Sequence, residues 1–140
     1  MIEGGCLCGS VRYKSSAAPI VMRACWCRLC QYIAAGSATI NLAFQSDAVT
    51  VTGKLRDYTS TADSGRRMHR RFCPTCGTHM FSEADERPHL IIVRGGTLDD
   101  PDIVKLDATI WAAQAPCWAH IDPDTEIYEG QPPQPPASDD

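Results

Sequence analysis

Most of the chain consists of short apolar-rich segments, several of which alternate apolar and polar residues. A period of two residues is typical of β-strands with one buried face, and no long stretch has the period of an amphipathic helix. The segments that predict strands are 11–13, 20–22, 39–44, 49–52, 55–59, 66–72, 78–82, 90–93 and 108–111. One short helix at most is expected, at about residues 28–35. The pattern therefore predicts a mainly β domain with largely antiparallel sheets.

The length of the chain, 140 residues, suits one domain that can bury a core without disulfide bonds. We expect this domain to cover residues 1–129. Residues 130–140 contain four prolines and offer few apolar side chains. Because proline cannot donate the N–H bond that a sheet needs, these residues are expected to form a flexible, extended tail.

The formal net charge of −4 argues against nucleic-acid and membrane partners, since both favour a basic surface. No run of apolar residues approaches the ~18 needed to span a bilayer, and the first residues lack the features of a signal peptide. A cytoplasmic location is therefore expected. In such a reducing compartment, the eight cysteines indicate metal binding rather than a disulfide framework.

Seven of the eight cysteines lie in three short motifs, Cys6-x-Cys8, Cys25-x-Cys27-x-x-Cys30 and Cys73-Pro-x-Cys76, and Cys117 stands apart. The third motif predicts a turn that directs two thiolates at one metal ion. Gly77, directly after it, allows backbone N–H groups to turn toward the sulfurs. A structural zinc site needs four ligands, and Cys6 and Cys8 are the natural second pair.

The middle motif offers three thiolates and no obvious fourth ligand. Three protein ligands and one free position are typical of a catalytic zinc, whereas four ligands close a structural site. The free position suits a substrate thiol, because zinc binds sulfur well and coordination removes the thiol proton. The motif therefore indicates a zinc site that is open to substrate.

The spacing of the cysteines alone does not determine how they are divided between metal sites. Cys6 and Cys8 could instead join the middle motif, or the seven cysteines could form one four-cysteine site and leave three free thiols. A redox pair at Cys27 and Cys30, or at Cys73 and Cys76, would normally follow a strand in a thioredoxin-like βαβ pattern, which this sequence lacks.

In order along the chain, the motifs and their neighbours resemble a known family. They are Gly-Cys-Leu-Cys-Gly-Ser-Val-Arg-Tyr, Cys-Trp-Cys-Arg-Leu-Cys, Arg-Arg-Phe-Cys-Pro-Thr-Cys-Gly-Thr, Ile-Trp and Ala-Pro-Cys-Trp. Together they resemble the glutathione-dependent formaldehyde-activating enzyme family, also called the CENP-V/GFA domain, over about residues 5–128. The resemblance implies a β-tent fold, in which several small twisted antiparallel sheets surround zinc sites.

The resemblance also implies two zinc ions per chain and a carbon–sulfur lyase activity. The implied ligands are Cys6, Cys8, Cys73 and Cys76 for a structural zinc, and Cys25, Cys27 and Cys30 for a labile catalytic zinc. The implied partners are a small thiol such as glutathione and a small aldehyde such as formaldehyde, which join as S-hydroxymethylglutathione. The alternative is a non-catalytic β-tent scaffold or interaction domain. One departure concerns Trp26, because family members often carry histidine at that position.

The remaining polar and aromatic candidates have simpler interpretations. On a strand, Arg66, Met68 and Arg70 share one face, and Arg67, His69 and Arg71 share the other. We expect most of these arginines to offset thiolate charge, with one arginine at the carboxylates of a substrate. Of the four histidines, His79 is the best candidate for a contact with the metal-binding turn. We expect Cys117 to be a buried free thiol, with an approach to the open zinc as the alternative.

Overall fold

The strands and the helix follow the predicted apolar segments closely. The computed structural model describes residues 1–62 and 64–133, and these form eleven strands and one α-helix. The elements are β1 (Ile2–Gly5), β2 (Arg12–Ser15), β3 (Val21–Cys25), α1 (Arg28–Ile33), β4 (Thr39–Gln45), β5 (Val49–Thr52), β6 (Arg56–Thr61), β7 (Arg67–Phe72), β8 (His79–Ala84), β9 (Leu90–Arg94), β10 (Ala108–Ile110) and β11 (Glu126–Ile127). The prediction of a mainly β fold with one short helix is confirmed.

The strands of the described residues form two sheets. A three-stranded sheet has the order β1-β2-β5, and an eight-stranded sheet has the order β11-β10-β3-β4-β9-β8-β7-β6. Most neighbours are antiparallel, whereas β10 pairs in parallel with both β3 and β11. These parallel pairs join segments from distant parts of the chain, so the local pattern did not predict them.

Alternation along the central strands gives the large sheet two different faces. Leu42 and Phe44 of β4 are fully buried in the core, together with Val93 of β9. The register pairs Asn41 with Arg94 across the same two strands, and these polar residues point to the opposite face. One face therefore packs on the core, and the other carries polar groups.

The main core lies between the two sheets. Tyr13 of β2 packs edge to face on Phe81 of β8, with ring centroids 5.4 Å apart, and Val11 and Met80 are fully buried beside them. Cys6 and Cys73 belong to the same buried cluster. The first and third cysteine motifs therefore meet at a seam where both sheets contribute.

Two details of the prediction need correction. The helix ends at Ile33 rather than at about residue 35, because Ala35 and Gly36 adopt positive φ angles of 56° and 105°, which do not continue a right-handed helix. The strands β1 and β11 were not predicted, since one contains two glycines and the other has only two residues.

The tail prediction falls mostly outside the described residues, because residues 134–140 are not described. It therefore stays a prediction. Within the described part of the chain, no helix has the length and apolarity needed to cross a bilayer.

Candidate metal centres and the adjoining cavity

The first candidate centre joins residues from the two ends of a long chain segment. Its four sulfurs all lie within 4.8 Å of one another and belong to Cys6, Cys8, Cys73 and Cys76. Cys6 and Cys8 follow β1, and the other two lie in the turn between β7 and β8. This is the grouping that the family resemblance implied.

The spacing of these sulfurs fits a tetrahedral zinc ion. The Cys6 and Cys8 sulfurs are 3.6 Å apart, and the Cys8 and Cys73 sulfurs are 3.8 Å apart. A zinc–sulfur bond of about 2.3 Å in a tetrahedron places neighbouring sulfurs about 3.8 Å apart. All eight cysteines are free thiols rather than disulfides. The four side chains are therefore arranged as metal ligands.

Hydroxyl and backbone groups lie close to these sulfurs and favour the ionised form of Cys6 and Cys76. The Ser10 hydroxyl lies 3.1 Å from the Cys8 sulfur, and the Thr78 hydroxyl lies 3.2 Å from the Cys76 sulfur. Hydrogen bonds from the Thr78 hydroxyl and its backbone N–H lower the pKa of Cys76 to about 5. Such contacts stabilise thiolate ligands and fix their orientation. The sequence analysis did not single out either hydroxyl, although each lies two residues after a cysteine.

A second thiol of this centre, that of the buried Cys6, also has a lowered pKa. Burial opposes ionisation of Cys6, but hydrogen bonds from the Val11 N–H and the Ser10 hydroxyl outweigh it and lower the pKa of Cys6 to about 7. In the turn between β7 and β8, the N–H groups of Thr75 and Cys76 lie 3.4 and 3.5 Å from the Cys73 sulfur. The predicted turning of backbone N–H groups toward sulfur is therefore present.

The second candidate centre is formed within one short turn. The three sulfurs of Cys25, Cys27 and Cys30 lie within 4.8 Å of one another, and all three residues are buried. Cys25 ends β3, Cys27 is the N-cap of α1, and Cys30 lies in the helix. The Cys27 sulfur accepts the Cys30 N–H at 3.3 Å, so the helix start itself fixes two of the three ligands.

The titration of these thiols favours a bound cation. Hydrogen bonding with Cys27 and Cys30 and burial raise the pKa of Cys25, whereas hydrogen bonds from Cys25 and Cys27 lower the pKa of Cys30 to about 2. One thiol therefore ionises easily and leaves its neighbours protonated. A divalent cation removes the repulsion between three thiolates, so this donor set suits zinc.

A buried glutamine anchors this turn to the segment that follows β10. The Gln31 side-chain amide donates to the Trp26 carbonyl at 2.8 Å and to the Gln114 carbonyl at 3.0 Å. The Gln114 side chain in turn accepts the Arg28 N–H at 2.7 Å. Trp26 is buried and meets Trp118 edge to face, so the residue that departs from the family pattern packs away from the sulfurs.

A cavity of about 160 Å³ lies beside the three-cysteine centre, and all three cysteines line it. Among the described residues, no fourth Cys, His, Asp or Glu joins the three sulfurs. The cavity lining also includes Trp111, which packs against the three-cysteine cluster and holds a left-handed backbone conformation with a φ of 55°. Backbone strain of this kind at a residue with a side chain is common where a structure positions groups for function.

Arginines supply most of the charge on the walls of this cavity. The five arginines among its described lining residues are Arg23, Arg66, Arg70, Arg87 and Arg94. Arg94 is only 8% exposed and donates to the Asn41 side-chain oxygen and to the Ser82 hydroxyl. Burial lowers its pKa, and the nearby Cys30 thiolate opposes that effect. The cavity therefore combines a sulfur cluster with a strongly basic wall.

The basic run between Arg66 and Arg71 divides as the strand alternation predicts. Arg66 and Arg70 line the cavity, so two arginines of the run, rather than the one expected, reach it. On the other face, Arg71 pairs with Glu83 at 2.8 Å and Arg67 pairs with Asp85 at 3.4 Å. The sequence analysis missed Arg23, Arg87 and Arg94. Arg23 precedes Cys25 by two residues on β3, and that alternation could have revealed it.

Two further expectations are corrected by the structure. Cys117 is exposed rather than buried, because it lies in a surface turn after β10, and it does not join the three-cysteine cluster. His79 makes no hydrogen bond to a cysteine among the described residues. Its ring instead lies against Phe72, with centroids 5.6 Å apart.

The fold and these sites define a class: a mainly β protein with two cysteine clusters that can hold metal ions, consistent with zinc. The family model of the glutathione-dependent formaldehyde-activating enzyme matches residues 1–114. The chain therefore belongs to that family, and the resemblance noted in the sequence is confirmed.

The other comparisons add information about the fold alone. A crystal structure of a Rhodobacter sphaeroides protein, from a structural genomics programme, is similar with a TM-score of 0.57 and 21% sequence identity. The similarity covers 74% of this chain and 96% of that chain. A search of curated protein sequences finds no match to this chain.

Proposed function

We propose that this protein is a zinc-dependent carbon–sulfur lyase that joins a small thiol, such as glutathione, to formaldehyde or a related aldehyde. The activity comes from the family to which the chain belongs. The observation that carries the proposal for this chain is the three-cysteine centre, which opens on a cavity and has no fourth protein ligand among the described residues.

Cys25, Cys27 and Cys30 would hold the catalytic zinc, and Cys6, Cys8, Cys73 and Cys76 would hold a structural one. A zinc ion with three thiolate ligands supplies a Lewis acid that lowers the pKa of an incoming thiol. Four sulfurs complete the preferred shell of zinc, so the first centre has no place for a substrate. The two centres therefore have different roles.

The proposed reaction forms one carbon–sulfur bond. The thiol loses its proton to solvent, and its sulfur attacks the carbonyl carbon of the aldehyde. The carbonyl electron pair moves to the oxygen, which takes a proton from water and becomes a hydroxyl group. The product is a hydroxymethyl thioether, and no oxidant or reductant is consumed.

The residues of the chain support this reaction mainly through charge and shape. Three thiolates and one zinc ion carry a single negative charge, and the buried guanidinium of Arg94 offsets it. The remaining arginines of the cavity wall attract an anionic thiol, and they favour the negative charge that develops on the aldehyde oxygen.

The substitution Cys27→Ser tests the proposed role of the middle motif. We expect it to remove one of two zinc ions per chain and to abolish thiol-dependent turnover, since a serine hydroxyl is a poor ligand for zinc. Zinc is quantified on the purified protein, and turnover is measured by exchange NMR between formaldehyde and its glutathione adduct. Cys117→Ser, at an exposed cysteine outside both centres, is the matched control.

Full activity of Cys27→Ser would refute the proposal. A wild-type protein that binds two zinc ions but never exceeds the spontaneous rate of adduct formation would favour the non-catalytic scaffold. The spontaneous rate is therefore measured in the same buffer without protein.

A further inference from the structure

Among its described lining residues, the cavity beside the three-cysteine centre has more positively charged side chains than negatively charged ones. Five arginines line it, and Glu83 is the one acidic side chain among the described lining residues. Glu83 is already bound to Arg71 at 2.8 Å. The described part of the wall is therefore a cationic surface whose charge is not balanced by acidic lining residues.

The zinc-bound cysteines account for only one of these charges. A zinc ion held by three thiolates would leave a single negative charge, and the guanidinium of Arg94, which is 8% exposed, interacts electrostatically with all three cysteines. Arg66 has Glu86 at a long 3.8 Å. Within the described part of the chain, Arg23, Arg70 and Arg87 have no carboxylate within salt-bridge distance.

Three of the cavity arginines also have buried nitrogens without a partner in the described structure. They are the Nε atoms of Arg23 and Arg94 and the Nε and Nη2 atoms of Arg87, all of which are shielded from solvent. The side chains of Arg23 and Arg87 are half-buried, so the charge on these nitrogens is poorly solvated. A guanidinium group held in this way gains free energy when an anionic ligand enters.

The same walls offer little to a positively charged group. A free ammonium group needs an unpaired carboxylate or several carbonyl oxygens. Glu83 is occupied by Arg71, and the Asn41 side-chain oxygen accepts from Arg94. Glutathione carries two carboxylates and one ammonium group, so only part of it matches the described walls.

We propose that this cavity selects thiols that carry two or more acidic groups, carboxylates or phosphates, and no ammonium group. The proposal rests on the proposed function, because it assumes that the thiol sulfur reaches the zinc held by Cys25, Cys27 and Cys30. The acidic groups then lie against Arg23 and Arg87, which makes these two arginines determinants of substrate specificity.

Calorimetric titration of the zinc-loaded protein tests the proposal with four probes. They are mercaptosuccinate, which has a thiol and two carboxylates, succinate, which lacks the thiol, glutathione, and uncharged 2-mercaptoethanol. We expect mercaptosuccinate to bind at least about tenfold more tightly than glutathione or 2-mercaptoethanol, with an affinity that falls as salt is added. Equal affinities for mercaptosuccinate and 2-mercaptoethanol, or tighter binding of glutathione, would overturn the proposal.

Single-residue variants test which arginines are responsible for the affinity for acidic thiols. Arg87→Gln and Arg23→Gln are each expected to weaken mercaptosuccinate binding about tenfold and to leave 2-mercaptoethanol binding unchanged. Arg12→Gln changes the total charge equally, but at an exposed position in the three-stranded sheet, and is expected to have no effect. Loss of affinity in all three variants would overturn the proposal. If one of the two cavity variants fails to fold, the proposal is still tested by the other variant and by the four probes on the wild-type protein.

The succinate titration separates the two proposals. If succinate binds as tightly as mercaptosuccinate and depends on Arg87, the anion site stands but the thiol does not reach the metal, and the proposed function fails. If all thiols bind equally well while succinate does not bind, the proposed function stands and the charge selection fails.

Discussion

His69 shows how one side chain can join three segments of the chain. Its Nδ1 atom lies 2.8 Å from an oxygen of Asp57 on β6, and its Nε2 atom lies 2.6 Å from an oxygen of Asp85, just after β8. Hydrogen bonds to Asp85 and then to Asp57 raise the pKa of His69 above its ordinary value. The protonated ring therefore links the outer strands of the large sheet.

This contact predicts a stability that depends on pH. The folded state binds the His69 proton more tightly than the unfolded state, so the stabilisation is complete below the unfolded pKa of about 6.5 and is lost as pH rises through the raised folded pKa. The difference in unfolding free energy between wild type and His69→Gln should be larger at about pH 5.5 than at about pH 8.5. Urea unfolding at both values measures it.

The control for this prediction is His120→Gln, at an exposed histidine without an ion pair in the described structure. Its effect on the unfolding free energy, measured in the same way, gives the baseline for replacing a surface histidine. A His69→Gln effect that stays constant, or grows toward alkaline pH, would contradict the role assigned to the protonated ring.

The sequence predicted residues near the cysteines better than residues that reach them from elsewhere. The three motifs and the two faces of the Arg66–Arg71 run follow from spacing and alternation. Arg94 is 64 residues beyond Cys30 along the chain and reaches the same site only because β9 pairs with β4. No local pattern contains that information.

At the scale of elements, β1 shows how closely the first centre depends on backbone packing. Gly4 pairs with Tyr13 of β2 and bridges to Leu98, and the cysteines of the first motif follow directly. A Cβ atom at Gly4 would lie 2.3 Å from both the Thr97 carbonyl oxygen and the Tyr13 hydroxyl. No side chain fits in this space unless the backbone moves.

Gly4→Ala is therefore expected to lower the unfolding free energy by about 1–3 kcal/mol, because the added methyl group overpacks a buried contact. Gly96→Ala is the matched control, since a Cβ atom there meets nothing within 4 Å, and its effect should stay within about 0.5 kcal/mol. Urea unfolding of both variants measures the effect. Equal effects at the two positions would show that the close approach is unimportant.

Strands in which apolar residues recur at a regular period could be predicted from the sequence. Strands that form only by pairing with a segment far away in the chain could not. Segments such as 39–44 and 49–52 predicted β4 and β5 almost to the residue. By contrast, β11 exists only because β10 offers it a free edge, and its two residues carry no pattern. The left-handed backbone at Ala35 also gave no sign in the sequence.

At the scale of the whole molecule, the two centres have opposite relations to the fold. The first ties the segment after β1 to the turn after β7, across more than 60 residues, and lies against the main core. The second is contained in six residues on the opposite face of the large sheet. A metal that closes a long loop restrains the unfolded chain more than one held by a local turn, so the loss of the first metal is expected to destabilise the fold more.

The net charge of the whole molecule differs in sign from the charge of the cavity walls. A formal net charge of −4 gives no hint of five arginines around one cavity. Arg23, Arg70 and Arg94 meet there because the register of β3, β4, β9, β8 and β7 places alternate residues on one face. Arg66 and Arg87 reach the cavity from the connections that precede β7 and β9. The overall composition therefore could not describe the charge of the site.

The most direct test of this account is a chelator titration of the zinc-loaded protein, with released zinc and circular dichroism recorded together. Two zinc ions per chain should leave in two phases, the first without loss of β structure and the second together with unfolding. Cys27→Ser should lack only the first phase. A single phase, or unfolding that accompanies the release of the first ion, would contradict the division into an open local centre and a closed structural one.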